Sequence, residues 1–284
     1  MDRFEQCCLI TNPSSGSNRD AAVVAVREAL QENGIAIARH CEFPDDDLPS
    51  QDELRSAGIE LVVIYTGDGS ANAAISSLEG WDGAVLFLPG GTKNLLSKRL
   101  HGEFDAETII KLVAAGSARR MRPNVCRCDH GWALAGLLVG PGTCWSNVRE
   151  ATRDVDIPAI AGGTIDAIGQ TADGPPVHAQ VPQIGRDQGY QLIEITPGEF
   201  GLQLDGFYAD TVGDFARQGW AVLRRRFREG PHDRVGIVEE VTLGSDDGSK
   251  LDLLLDGEPV AGKPKEVVST ARCPVDMLVT GHAD

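Results

Sequence analysis

The sequence predicts an α/β domain built on a doubly wound, mostly parallel sheet. A mainly antiparallel, β-sandwich-like domain should follow it. Over about the first 120 residues, short apolar strands, polar glycine loops and helical segments repeat, which is the pattern of an open parallel sheet. Beyond Pro123, short alternating segments separated by Gly, Pro and Asp take over, as in antiparallel sandwiches. At 284 residues the chain exceeds one small core, so two domains are expected, 1–121 and 122–284.

Each element has its own signal. Gln6-Cys7-Cys8-Leu9-Ile10-Thr11 reads as the first strand, and Asn12-Pro13-Ser14-Ser15-Gly16-Ser17 is a loop of turn residues. Asn18 can cap a helix to about Asn33, with Val23, Val26 and Leu30 on one face and Gly34 ending it. A strand follows at Ile35–Arg39, and Ser50 with Glu53 has the spacing of a capping box before Gly58. Ile59–Ile64 is apolar and β-branched, suited to a strand buried on both faces. Ala84–Leu88 is another strand, running into Pro89-Gly90-Gly91-Thr92-Lys93-Asn94 and then helical sequence from Leu95. Asp105 should cap a further helix over Ala106–Ala115. In the second half, Gln191–Ile195 and Leu251–Leu255 read as strands. Asn147–Asp154 and Thr211–Glu229 read as helices. The longer one sets Val212, Phe215, Trp220 and Leu223 opposite Arg217, Arg224, Arg225 and Arg228. A basic amphipathic helix can lie on lipid, or dock its apolar face on the protein and leave its arginines solvated.

The organising stretch is Tyr65-Thr66-Gly67-Asp68-Gly69-Ser70-Ala71-Asn72, between the Ile59–Ile64 strand and a helix expected from Ala73. Two glycines let the backbone turn and approach a ligand closely. The free N–H groups of a helix start favour phosphate. Asp68 would repel phosphate unless it meets a cation such as Mg²⁺ or takes a proton from an attacking hydroxyl. A plain turn is the alternative for Gly-Asp-Gly alone. The glycine-bearing loops after the strands should share one carboxyl edge, where such folds bind ligands.

Composition excludes some partners. The 42 acidic residues against 26 basic ones give a formal charge of −16, which opposes general nucleic-acid binding. It also opposes attraction to an anionic membrane unless basic groups cluster, and it leaves open a soluble substrate. No apolar run reaches the length of a membrane span, and the first residues lack a secretory pattern. Seven cysteines without a regular framework suit reduced thiols, and hence a cytoplasmic location, with peripheral membrane contact possible through the arginines. Cys126, Cys128 and His130 alternate on one strand face, readable as metal ligands or as side chains of a half-buried strand. Gly257–Pro264 departs from a phosphate-binding Gly-x4-Gly-Lys-Ser/Thr loop, because Pro264 offers no hydroxyl.

Three loops together resemble the signature of the diacylglycerol kinase catalytic-domain family, which includes bacterial lipid kinases and sphingosine kinases. Asn12-Pro13-Ser14-Ser15-Gly16 resembles its N-P-x-S-G loop, and Thr66–Asn72 its G-G-D-G-T-x-N loop. Pro89–Asn94 resembles its P-x-G-T-x-N loop, and Asp256-Gly257-Glu258 its late D-G-E element. NAD kinases share the Gly-Asp-Gly loop. The resemblance implies a nucleotide-binding first domain, ATP, Mg²⁺, and phosphoryl transfer to a lipid hydroxyl lying between the domains. On that basis Asn12, Ser15 and Gly16 hug the nucleotide, and Thr66, Gly67, Gly69, Ser70, Asn72, Gly91 and Thr92 complete its cradle. Asp68 supports the metal and phosphates, while Asp256 and Glu258 activate or position the acceptor hydroxyl.

Phosphoryl transfer needs mainly positioning and charge neutralisation, which glycine-loop N–H groups and a carboxylate-held metal supply. The chain also departs from the family. Thr66 replaces the first glycine of the central loop, and Ser70 its threonine. Ala73 stands where the family has an acidic residue, and Leu95 where it has an aspartate. Those two losses raise a second expectation, a nucleotide-binding regulatory protein with impaired catalysis. Asp256 also has a second reading, as a residue of an Asp-Gly hairpin turn.

Overall fold

The computed structural model describes residues 3–13, 20–91, 94–141, 174–208 and 232–281. The chain divides into two compact units, 1–123 together with 272–284, and 124–271.

In the first unit the order is β1 (Gln6–Thr11), α1 (Asp20–Glu32), β2 (Ala36–Glu42), α2 (Gln51–Ser56), β3 (Leu61–Thr66) and α3 (Asp68–Ser77). Then come β4 (Ala84–Pro89), α4 (Leu95–His101), α5 (Ala106–Ala114) and β5 (Arg119–Met121). The second unit holds β6 (Asn124–Cys128), β7 (Gly131–Ala133), β8 (Leu137–Val139), β9 (Val177–Val181), β10 (Gln183–Ile184) and β11 (Leu192–Gly198). It continues with β12 (Gly201–Phe207), β13 (His232–Val238), β14 (Glu240–Ser245), β15 (Asp252–Leu255), β16 (Glu258–Ala261) and β17 (Lys265–Arg272), and the chain returns to the first unit with β18 (Asp276–Val279).

The first sheet runs β2-β1-β3-β4-β18-β5. The pairs β1–β2, β1–β3, β3–β4 and β4–β18 are parallel, and only the edge strand β5 is antiparallel to its neighbour. Every residue of β3 is buried, as a strand covered on both faces requires. Leu30, Val63, Leu86, Ile110 and Leu278 join one core. The capping box of α2 is formed, with Glu53 N–H donating to Ser50 Oγ and Ser50 N–H to Glu53 Oε2. Asp105 caps α5 through Thr108 N–H.

Two expectations are corrected here. The second domain was expected to run unbroken to residue 284, yet β18 completes the first sheet between β4 and β5. Its four residues carry no periodicity of their own, and its place is decided by partners nearly 200 positions earlier, with Met277 paired to Val85. The central loop was expected to precede a helix beginning at Ala73, but α3 already starts at Asp68, with Gly67 as its N-cap. Short side chains in the first turn do not oppose helix there, so Asp68, Gly69 and Ser70 belong to the helix start itself.

Among its described residues the second unit holds two six-stranded sheets, β10-β9-β14-β17-β6-β7 and β13-β12-β11-β8-β15-β16. All the register pairs described within them are antiparallel. Val241, Leu243 and Val268 of one sheet share a core with Ile193, Leu204 and Leu253 of the other, which makes a sandwich. The helices expected at 147–154 and 211–229, with Arg224, Arg225 and Arg228, lie outside the described residues. No helix among the described residues is long and apolar enough to cross a membrane.

Candidate active site

At the carboxyl edge of the first sheet, three loops converge. The loop after β1 reaches the start of α3 through Asn12 Nδ2, which donates to Ser70 Oγ at 2.7 Å. Behind Asn12, the buried Thr11 hydroxyl meets His40 Nε2 of β2 at 2.9 Å. Burial holds that imidazole below its ordinary pKa.

The loops after β3 and β4 touch backbone to backbone. A methyl group on Gly90 would stand 2.6 Å from Thr66 N, and one on Gly91 would stand 2.8 Å from Gly67 Cα. Real side-chain carbons do not occupy such positions, so these glycines are required by close approach. Asn94 then fixes the second loop. It sits in the left-handed region (φ 52°, ψ 41°), and its Oδ1 accepts the Gly91 N–H at 2.7 Å. Sequence reasoning did not single out Asn94, and the signal lay in its residue type, since Asn tolerates this backbone better than other side chains do.

Gly67 caps α3 in an extended conformation, and no side chain caps that helix end. A helix leaves its first N–H groups without intrahelical partners, and its dipole favours an anion there. Asp68 is the first residue of that turn and is half-buried. Thr66 is buried and its hydroxyl donates to the Gly67 carbonyl at 3.0 Å, so its side chain braces the loop from within. Asn72 Oδ1 accepts from Ser76 Oγ at 3.2 Å along the helix. Ala73 is half-buried, and Leu95, the first residue of α4, is 48% exposed. Ser15, Gly16 and Thr92 lie outside the described residues.

In the second unit Asp256 and Gly257 form the two-residue turn between β15 and β16, with φ of 50° and 97°. The hairpin-turn reading therefore describes the backbone. The Asp256 carboxylate also accepts three N–H groups, from Leu134 at 2.8 Å, Ala135 at 2.8 Å and Gly136 at 3.0 Å. Glu258 is exposed.

The metal reading of Cys126, Cys128 and His130 finds no support. Both thiols are buried, and His130 Nε2 meets the buried Glu266 at 2.8 Å. Among the described residues no group of three or more His, Cys, Asp or Glu side chains is arranged to hold a metal. The six described cysteines are free thiols.

Residues 6–125 match the model of the diacylglycerol kinase catalytic domain. Similar solved structures come from Bacillus anthracis str. Sterne. One, a candidate diacylglycerol kinase, is 17% identical with a TM-score of 0.62, over 98% of this chain and 96% of that one. A second, described as a diacylglycerol kinase, is 14% identical with a TM-score of 0.60, over 98% of both chains. At these identities the likeness shows a shared two-domain fold. No curated protein matches the sequence. The family match thus lies on the first unit, with its last two residues in β6.

Proposed function

We propose that this chain, whose residues 6–125 match the diacylglycerol kinase catalytic domain, transfers the γ-phosphate of ATP to a lipid hydroxyl. The observation that carries the reading is the convergence of three loops on the start of α3. Asn12 is bonded to Ser70, and Gly91 is packed on Gly67.

The residues present fit Mg²⁺–ATP. The first turn of α3, with the neighbouring loop's backbone packed beside it too closely for a Cβ, offers N–H groups to phosphate oxygens. Asp68 adds a hard oxygen ligand in the same turn, as Mg²⁺ prefers. The metal would supply charge neutralisation on the phosphates. The chain's own part is to hold the triphosphate still. Asn12 and Ser70 would hold it from one side, and Gly91, its N–H taken by Asn94, would keep the other side clear of any side chain.

The test is a screen of total lipid extract in mixed micelles with γ-labelled ATP. A labelled lipid is expected, and Asp68→Asn should reduce its formation at least 100-fold while the protein stays folded. Full activity in that variant would remove Asp68 from the mechanism.

A second reading is favoured by Ala73 and by the exposed Leu95, where the family carries acidic side chains. It makes the chain a nucleotide-binding regulatory protein. Calorimetry showing ATP binding with no labelled product from any extract would select it.

A further inference from the structure

The register of β2 on β1 is not uniform. Cys7 pairs with Ile37 and Cys8 with Arg39, so Ala38 is an extra residue with no partner on β1. A bulge of this kind turns the later side chains of its strand to the other face. His40 thereby stands opposite Leu9, on the face that also holds Thr11, and its Nε2 meets the Thr11 hydroxyl at 2.9 Å.

Thr11 is the last residue of β1 and is fixed to β2 twice. Besides the hydroxyl contact, its carbonyl accepts the Phe43 N–H at 2.9 Å. The next residue, Asn12, precedes Pro13, which confines it to extended backbone. Two fixed points on Thr11 and a restricted Asn12 leave the chain little choice of direction as it quits the sheet. That direction sets Asn12 Nδ2 at 2.7 Å from Ser70 Oγ, in the first turn of α3.

The core does not need a polar pair here. Cys7 and Leu9, the preceding residues on the same face of β1, are apolar and fully buried. The Thr11 hydroxyl, on a residue 1% exposed, must be desolvated and then matched. Replacing both partners of such a bond by apolar groups of similar shape is close to neutral for stability. The bond therefore contributes direction more than stability. The ring can serve in either tautomer, because a hydroxyl both donates and accepts. Burial lowers its pKa, as Arg27 does, against the opposite pull of Glu42 and Asp46.

We propose that His40 is a positioning residue for the nucleotide: through Thr11 it aims Asn12 at Ser70 and so shapes the phosphate-binding rim. This role rests on the reading of that rim as an ATP site.

The experiment titrates ATP with excess Mg²⁺ into the full chain by calorimetry, with urea unfolding of each protein alongside. Thr11→Val combined with His40→Leu removes the bond and keeps apolar packing. The urea midpoint should stay at the native value, and the Kd for ATP should rise about threefold, within the effect of one neutral hydrogen bond. In an Asn12→Ala background the same two substitutions should raise the Kd no further, since nothing is left for Thr11 to aim. His40→Gln can reach the hydroxyl with its side-chain amide and should recover most of the affinity lost in His40→Leu. Should the double variant not fold, Thr11→Val alone, which nearly keeps the side chain's shape, takes its place. A native Kd in the variant without the bond would overturn the proposal, as would the same loss with and without Asn12. A native protein that binds no ATP would instead overturn the nucleotide reading, and this role with it.

Discussion

Asn12 Nδ2 donates to Ser70 Oγ at 2.7 Å, so the loop after β1 is fastened to the first turn of α3. The bond also orients the serine. Because Oγ accepts from the amide, its hydrogen is turned elsewhere, where a phosphate oxygen could receive it. Removing either partner should weaken ATP binding more than it weakens the fold, since both side chains are half-buried at the rim. Asn12→Ala and Ser70→Ala should each raise the Kd for ATP about fivefold, the effect of one neutral hydrogen bond. The double variant should fall short of additivity by about 1 kcal/mol. Calorimetric titration of the four proteins checks this. Strict additivity would mean that the bond does not serve the site.

Asn94 combines two demands that substitutions can separate. Its φ of 52° disfavours most side chains, and its Oδ1 holds the Gly91 N–H. Asn94→Gly should keep the backbone and lose the bond. Asn94→Asp should keep the bond, and Asn94→Ala should lose both. The expected order of stability is Asp, then Gly, then Ala. The alanine variant should be about 2–3 kcal/mol below the native protein, summing left-handed strain and a lost hydrogen bond. Urea denaturation gives the order. Equal losses in all three would show that Gly91 is held by its packing on Gly67 alone.

His101 makes stability depend on pH. It is fully buried on α4, its Nδ1 lies 2.9 Å from Thr280 Oγ1, and burial pushes its pKa from 6.5 down to about 4. The Phe87 carbonyl pulls the other way and does not prevail. A folded pKa below the unfolded one means that the unfolded chain takes up a proton first. The contribution is therefore present in full above about pH 6.5 and is lost as pH falls toward 4, to the extent of about 3 kcal/mol. Carboxylates titrate in the same range, so the informative quantity is a difference. Unfolding free energy should fall more steeply between pH 6.5 and 4 in the native protein than in His101→Gln. Parallel curves would show that the ring protonates without cost.

What could be read from the sequence was local. The Ser50–Glu53 box, the Asp105 cap and the fully apolar β3 declare themselves within a few residues. The glycine loops were legible because only glycine suits backbone in contact with backbone, as at Gly90 against Thr66. Their common edge followed from parallel strand order. The remainder depended on distant partners. Asp256 shows its carboxylate's purpose only when Leu134–Gly136 is folded against it, about 120 positions away. Thr66 looks like part of a ligand loop in sequence, and burial turns its hydroxyl back onto Gly67.

The same distance effect hides the last strand, and it carries a consequence for the site. β18 lies beside β4, and β4 delivers Gly90 and Gly91 to the rim. Leu278 is buried in the first core, and Asp276 is fixed by Arg122 Nε at 2.7 Å. Without β18, β4 loses a parallel neighbour and exposes an unpaired edge. Leu278→Ala should cost about 2–5 kcal/mol, the range for a buried leucine replaced by alanine. That loss should appear in the first unit, where ATP binds on the present reading. Saturating ATP should then restore part of the lost melting temperature, because a ligand that binds only folded protein shifts the equilibrium by mass action. Ending the chain after residue 271 should go further and abolish ATP binding, although every residue of the glycine loops remains. A truncated chain that still binds ATP with native affinity would show that the rim is held by β1, β3 and β4 without the returning strand.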